Sequence, residues 1–169
     1  MKLVLTKKDF LAIILLIMGL IFFISPFNQA EDLKTLHEKT FKVTSGGKLN
    51  LSSSSGDIYI NVWDQNEAKV IIKCNDNAKE KMKFMMELSG NELIVKGERI
   101  NSMNWFSNLK VKYYITLPKN FNSLIKTAGG DINIKELSGD FEIKTSGGDI
   151  DLVNTKGKME LKTSGGDIK

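Results

Sequence analysis

The sequence has only one cysteine, Cys74, and one histidine, His37, among its 169 residues. A lone cysteine excludes an intrachain disulfide, so the fold must depend on strand pairing and packing. We interpret Cys74 as a small buried apolar residue, because residues 70–74 alternate in polarity as a strand does. His37 lies in a polar stretch without the companions that a metal site or a catalytic base requires. We therefore predict that the protein is not an enzyme and holds no cofactor.

A concentrated basic patch is also lacking. The chain has 24 Lys and Arg against 20 Asp and Glu, a net charge of +4, and the lysines are spread along its whole length. Lysines of this kind are typical of solvated charges that protect sheet edges. Nucleic-acid binding would require clustered cations with stacking aromatics, so we predict no nucleic-acid partner. The surplus of positive charge suits anionic envelope polymers or lipid head groups instead.

The longest run without charge covers residues 10–27, and Lys2, Lys7 and Lys8 precede it. As a helix this run would span ~27 Å, close to the hydrocarbon thickness of a bilayer. The basic flank predicts that the N-terminus stays in the cytoplasm. Residues 1–30 are therefore predicted to be a single-pass anchor in the cell membrane, with the rest of the chain outside the cytoplasm.

A cleaved signal peptide is the alternative interpretation of the same segment. Pro26 would end its helix and cleavage would follow Ala30, which would give a secreted protein. Asn28 stands two positions before Ala30, where a small residue is expected, and this favours the uncleaved anchor. Residues 31–40 are mostly polar and are predicted to be a linker.

A repeat with a period of nine residues dominates the C-terminal part of the sequence. Segments of the type Gly-Asp-Ile-Asn-Ile begin every nine residues from Gly130 onward. The longer motif Lys-Thr-Ala/Ser-Gly-Gly-Asp-Ile recurs every eighteen residues, at 126–132, 144–150 and 162–168. Apolar residues two apart indicate a short strand in each unit, and the glycines indicate turns. Repeats of fixed period are typical of solenoids, whose units bury their apolar sides by stacking.

We therefore predict an all-β fold, specifically a β-solenoid of the β-helix or β-roll kind. It would be built from nine-residue strand-turn units and preceded by one N-terminal hydrophobic helix. Similar units begin at Gly47 and Gly56, so the domain is predicted to cover residues 41–169. Its middle part, residues 82–117, does not follow the repeat. We predict a hairpin over 82–96 and then a strand that ends before Pro118.

Stacking of the repeats would place Asp131, Asp149 and Asp167 in one column. Like charges directly opposite one another are destabilising unless something compensates them. We favour turns in which each Asp accepts backbone N–H groups of its own turn while nearby lysines balance the charge. A bound Ca²⁺ is the alternative, because nonapeptide β-rolls hold Ca²⁺. Their Gly-Gly-x-Gly-x-Asp pattern differs, however, from the Gly-Gly-Asp found here.

Six residues are candidates for a partner surface. They are Asn133, Asp151, Glu142, Glu160, Trp105 and Phe106. The alternation of the strands turns the first four outward in two rows. The last two lie in an apolar loop, and aromatic residues are favoured anchors at interfaces. Packing of these two rings against the open side of the sheet is the alternative.

Two segments together carry a family resemblance. Tyr-Tyr-Ile-Thr-Leu-Pro at 113–118 is followed by Leu-Ile-Lys-Thr at 124–127 and then by repeated Ser-Gly-Gly-Asp-Ile turns. In this combination residues 41–169 resemble the bacterial putative-adhesin family, a domain of unknown function. The resemblance implies a solenoid-like β fold in envelope proteins, among them LiaG-like membrane-anchored proteins associated with envelope stress. It implies no catalytic residues.

The same resemblance implies further repeat units after Lys169, so we expect that the sequence is truncated at its C-terminal end. In a complete chain, an uncapped unit would leave backbone groups unpaired. Edge-strand self-association or strand addition by a partner would then be expected.

We predict a non-catalytic, membrane-anchored extracytoplasmic protein, acting as an adhesin or as an envelope-stress scaffold. Its partner would be a cell-wall polymer or an envelope protein. The alternatives are a β-helix enzyme acting on polysaccharide and a calcium-stabilised secreted β-roll. The carboxylates argue against the enzyme, because the repeat distributes them one per strand instead of clustering them in a groove.

Overall fold

The structure, a computed structural model, describes residues 33–100 and 108–169. These residues form twelve strands and one short helix. In chain order the elements are β1 (Lys34–Lys42), β2 (Gly47–Ser53), β3 (Asp57–Trp63), β4 (Glu67–Cys74), α1 (Asp76–Lys81), β5 (Met82–Ser89), β6 (Glu92–Arg99), β7 (Val111–Pro118), β8 (Phe121–Thr127), β9 (Ile132–Lys135), β10 (Phe141–Thr145), β11 (Ile150–Val153) and β12 (Met159–Thr163).

The strands divide into two mixed six-stranded sheets. Sheet A has the order β1-β4-β7-β3-β9-β11, and sheet B has the order β12-β10-β8-β2-β6-β5. From β8 to β12 successive strands belong to alternate sheets, and residues eighteen apart are parallel neighbours. Ile132 lies opposite Ile150 in sheet A, and Thr127 lies opposite Thr145 in sheet B.

One apolar core lies between the inner faces of the two sheets. Strand alternation turns Leu49 and Leu51 of β2 inward, and Ile58 and Ile60 of β3 do the same from sheet A. Tyr113 of β7 is also fully buried, and its hydroxyl lies 2.7 Å from Ser53 Oγ of β2. This hydrogen bond joins the two sheets and satisfies a polar group that would otherwise be costly to bury.

The prediction of a β-solenoid is wrong. In a solenoid the neighbours within each sheet follow the order of the chain, whereas here β4 and β7 lie on the far side of β3. Three strand pairs, β1 with β4, β4 with β7 and β5 with β6, are antiparallel. Residues 67–118 lack the nine-residue Gly-Asp turns and form eight-residue strands, which pair antiparallel and make both sheets mixed. The all-β class is confirmed.

The predicted hairpin and the predicted linker can both be compared with the observed strands. The expected hairpin over 82–96 is present as β5 and β6, joined by Gly90 at φ 60°. Residues 34–40, expected to belong to a linker, instead begin β1, which pairs with β4 along its length. β1 is an edge strand that buries few side chains, so its sequence is mostly polar. Such a polar sequence resembles that of a loop, and this is why a linker was expected.

The predicted anchor, signal peptide and N-terminal helix in residues 1–30 lie outside the described residues. Within 33–100 and 108–169, no helix has the length and apolar character needed to span a membrane.

Candidate functional site

The two outward rows predicted from the sequence lie on opposite sheets. Asn133 and Asp151 are directly opposite each other on the outer face of sheet A. Glu142 and Glu160 are opposite each other on the outer face of sheet B. Each row therefore has its own surroundings, and the four residues do not form one surface.

Lysines of the repeat neutralise the glutamate row of sheet B. Lys144 Nζ lies 2.9 Å from Glu142 Oε1 and 3.2 Å from Glu160 Oε1. Lys126 Nζ lies 3.7 Å from Glu142 Oε1. The Lys144 hydrogen bond lowers the pKa of Glu142, and the Glu142 hydrogen bond in turn raises the pKa of Lys144. Such exposed pairs contribute little to stability, but they balance the charges of this face locally.

A groove of about 480 Å³ lies beside these pairs, where the strands of sheet B end. We call it the lysine groove. The repeat contributes Lys126, Lys144, Lys162, Thr127, Thr145, Ala128, Ser146 and Ser164 to its lining. The rest of the lining comes from Ser52, Ser53 and Ser54 at the end of β2 and from Gly97 and Glu98 of β6. Its volume lies in the range of ligand-binding clefts, which is roughly 300–1,000 Å³.

The lysine groove presents ammonium groups, hydroxyl groups and one carboxylate, that of Glu98. The three lysines are direct neighbours across β8, β10 and β12, because they occupy one position of the eighteen-residue motif. Lys162 forms no ion pair with any residue of the described chain. Ser146 and Ser164, in the turns that follow β10 and β12, add hydroxyl groups to the groove. A groove of this chemistry offers both donors and acceptors to a polar chain that runs across the strands.

The aspartate column predicted from the repeat is present, but its hydrogen bonds run between turns and not within one turn. Asp131 Oδ1 accepts from Asp149 N at 2.9 Å, and Asp149 Oδ1 accepts from Asp167 N at 2.9 Å. Asp57 Oδ1 begins the series by accepting from Asp131 N at 3.2 Å. Each carboxylate therefore ties its own layer to the next one. Within the ranges that the structure covers, no group of three His, Cys, Asp or Glu residues is arranged to hold a metal ion.

We expect the aspartate column to make stability depend on acid pH. The Asp167 N–H and Lys169 lower the pKa of Asp149 from its ordinary value. A carboxyl group with a lowered folded-state pKa stabilises the fold above its unfolded pKa of about 3.9, and this contribution is lost as the pH falls through the folded-state value. Between pH 5 and pH 2, urea unfolding should therefore show a steeper loss of stability for the natural chain than for Asp149→Asn. Asp64→Asn, in an exposed turn, is the control. Equal slopes for the natural chain and Asp149→Asn would contradict this role.

A cluster of two tyrosines and two lysines on sheet A was missed by the sequence analysis. Tyr59 and Tyr114 are directly opposite each other and their rings stack with centroids 5.2 Å apart. Lys73 Nζ lies 5.6 Å from the centroid of Tyr114, and Lys112 Nζ lies 5.6 Å from that of Tyr59. We call these four residues the tyrosine–lysine patch. Strand alternation along β3 turns Tyr59 outward, but no local sequence pattern indicates that β7 would lie beside it.

The remaining candidates from the sequence are the two loop aromatics, Cys74 and His37. Trp105 and Phe106 lie outside the described residues. Cys74 is buried at the end of β4, and burial raises the pKa of its thiol, which makes it a poor nucleophile. His37 lies on β1, where its ring and that of Phe84 form a T-shaped pair with centroids 6.1 Å apart.

Residues 51–169 match the model of a family described as "Putative auto-transporter adhesin, head GIN domain". No curated protein matches the sequence. Among solved structures, a putative cell adhesion protein from Clostridium sporogenes is similar over 80% of this chain and 98% of its own, with 10% identity and a TM-score of 0.46. A putative adhesin from Parabacteroides distasonis is similar over 82% of this chain and 66% of its own, with 16% identity and a TM-score of 0.39. A putative adhesin from Bacteroides fragilis is similar over 82% and 98%, with 13% identity and a TM-score of 0.32.

Proposed function

This chain belongs to the family of putative auto-transporter adhesins with a head GIN domain, and we propose from this premise that it is a non-catalytic protein of the cell envelope. Its ligand, in this proposal, is an envelope polysaccharide that lies in the lysine groove. The observation that carries the proposal is the repeated column of ammonium and hydroxyl groups along that groove.

The spacing of the groove favours a polymer over a small molecule. Neighbouring strands lie ~4.8 Å apart, so equivalent side chains of Lys126, Lys144 and Lys162 recur at that interval. A chain of sugars with its own regular spacing would meet similar groups repeatedly. Many weak contacts along such a line add up to useful avidity without one strong site.

The charge balance of the groove favours sugar hydroxyls over a polyanion. Lys144 is already paired with Glu142 and Glu160, and Glu98 also lines the groove. Ammonium and carboxylate groups held in this way donate to and accept from hydroxyl groups. A strongly anionic chain would instead have to displace the two glutamates.

Binding can be tested with protein-free cell-wall sacculi from which phosphodiester polymers have been removed by acid. We expect the natural protein to co-sediment with these sacculi. The double variant Lys126→Ala/Lys162→Ala should bind roughly fivefold more weakly, since exposed charge contacts contribute about 0.5 kcal/mol each. Lys144 is left intact because its glutamate pairs hold the groove wall.

The matched control is Lys83→Ala/Lys135→Ala. It removes the same charge from two exposed positions that do not line the groove, and we expect it to bind as the natural protein does. An equal loss of binding in both double variants would mean that net charge, and not the groove, causes the effect. Absence of binding by the natural protein would refute the polysaccharide proposal.

We further propose that residues 10–27 anchor the protein in the cell membrane, as in LiaG-like envelope proteins, with the two-sheet domain outside the cytoplasm. A tag placed after Lys169 should then fractionate with membranes and be removed by protease added from outside to cells with an opened outer barrier. A soluble form beginning near Glu31 would show that a signal peptide is cleaved instead. Protection of the tag in every fraction would contradict the extracytoplasmic location.

A further inference from the structure

We propose that the tyrosine–lysine patch on sheet A binds the phosphate groups of a phosphodiester polymer. This second surface lies on the sheet opposite the lysine groove and goes beyond the function proposed above. Its four members, Tyr59, Tyr114, Lys73 and Lys112, come from three neighbouring strands, β3, β7 and β4.

The stacked rings hold the two ammonium groups in place. Tyr59 and Tyr114 have nearly parallel planes, 14° apart, and both are half-buried, as are the two lysines. Each ammonium lies 5.6 Å from the centroid of one ring, a distance at which the ring quadrupole attracts a cation. A lysine fixed in this way loses less side-chain freedom when it binds an anion than a free surface lysine does.

The charge of both lysines is available to a ligand. Lys73 and Lys112 are directly opposite each other on β4 and β7, and neither forms an ion pair within the described ranges. On the same face, Lys69 is already paired with Glu38 at 2.7 Å. Asp57 lies opposite Lys112 on β3, where its Oδ1 accepts from the backbone of Asp131.

The chemistry of the patch favours phosphate over carboxylate. Lysine binds phosphate as a point charge, whereas planar carboxylates are held best by the fork of an arginine, which the patch lacks. The tyrosine hydroxyls can add donors to phosphate oxygens. Because the patch is on a flat sheet and not in a cleft, it suits successive groups of a polymer and not one enclosed ion.

The proposal predicts selective binding of polyglycerol phosphate. By isothermal titration at low salt, we expect Lys73→Ala/Lys112→Ala to bind this polymer about five- to tenfold more weakly than the natural chain, as two exposed charge contacts allow. Lys73→Arg/Lys112→Arg keeps both charges and should retain binding. The control Lys83→Ala/Lys96→Ala removes two exposed lysines from sheet B, away from the patch, and should bind within about twofold of the natural chain. Thermal unfolding of each variant would verify that the fold is kept.

Three outcomes would overturn the proposal. They are no binding of polyglycerol phosphate by the natural chain, equal weakening in the Lys83/Lys96 control, and equal or tighter binding of polygalacturonate, a carboxylate polymer, in the same assay. The polysaccharide test uses sacculi without phosphodiesters, so failure there leaves this result unaffected. The two surfaces can therefore be judged separately.

Discussion

Replacing Gly148 with alanine is expected to destabilise the two-sheet domain by about 3 kcal/mol or more. A Cβ at this position would overlap the carbonyl oxygen of Gly130 in the neighbouring repeat and would lie 2.8 Å from Asp131 N. Both obstacles are backbone atoms, which cannot turn aside as a side chain can. The overlap must therefore push the two layers apart, with a cost at or above that of ordinary overpacking.

Gly147→Ala is the matched control for this prediction. It adds the same methyl group one position earlier, where the nearest atom would be Ala128 O at 3.9 Å, an ordinary contact distance. Urea unfolding should show a large shift of the midpoint for Gly148→Ala and a change within about 0.5 kcal/mol for Gly147→Ala. Similar midpoints for the two variants would mean that the close approach of neighbouring repeats is not needed for stability.

The same close approach explains why the second glycine of each Gly-Gly-Asp turn stands where it does. A Cβ at Gly166 would overlap Gly148 O, and one at Gly130 would overlap Gly56 O. Each layer therefore needs a glycine at this position. The aspartates that follow then reach across to the next backbone N–H. Glycine and aspartate thus have distinct roles in the turn. The glycine permits the close approach of two layers, and the aspartate side chain accepts a hydrogen bond from the backbone of the next layer.

Replacing Gly97 with alanine is the second change with a large expected effect, and a second substitution should relieve it. Gly97 lies on β6, where a Cβ would overlap the hydroxyl of Tyr113 and lie 2.9 Å from Ser53 Oγ. We expect Gly97→Ala to cost about 2–3 kcal/mol, as overpacking in a dense core does. Tyr113→Phe alone should cost about 1 kcal/mol, because it removes the buried hydrogen bond to Ser53.

The double variant Gly97→Ala/Tyr113→Phe should be more stable than the sum of the two single changes predicts. Removing the hydroxyl makes room for the new methyl group, so the two positions are coupled by at least about 1 kcal/mol. Ser53 keeps a partner in either case, since its Oγ also donates to Ser55 O at 2.7 Å. Strict additivity in the four unfolding free energies would show that the tyrosine hydroxyl does not set the space at Gly97.

The candidate surfaces differ in how far the sequence could predict them. Lys126, Lys144 and Lys162 occupy one position of the eighteen-residue motif, so their alignment follows from the repeat alone. The groove beside them does not, because its other wall comes from Ser52 on β2 and from Gly97 and Glu98 at the end of β6. The pairing of Tyr59 with Tyr114 likewise depends on β7 lying next to β3.

The sequence by itself determined the all-β class, the inward and outward residues of the repeat, and the column of Asp131, Asp149 and Asp167. These features are local, because strand alternation and glycine turns act over a few residues and the repeat copies them at a fixed interval. Only the tertiary structure decided the strand order, the antiparallel pairs of β4 and the two mixed sheets that replace the expected solenoid. Strand order is settled by competition among distant edges for partners and for one shared core, and no short segment carries that information.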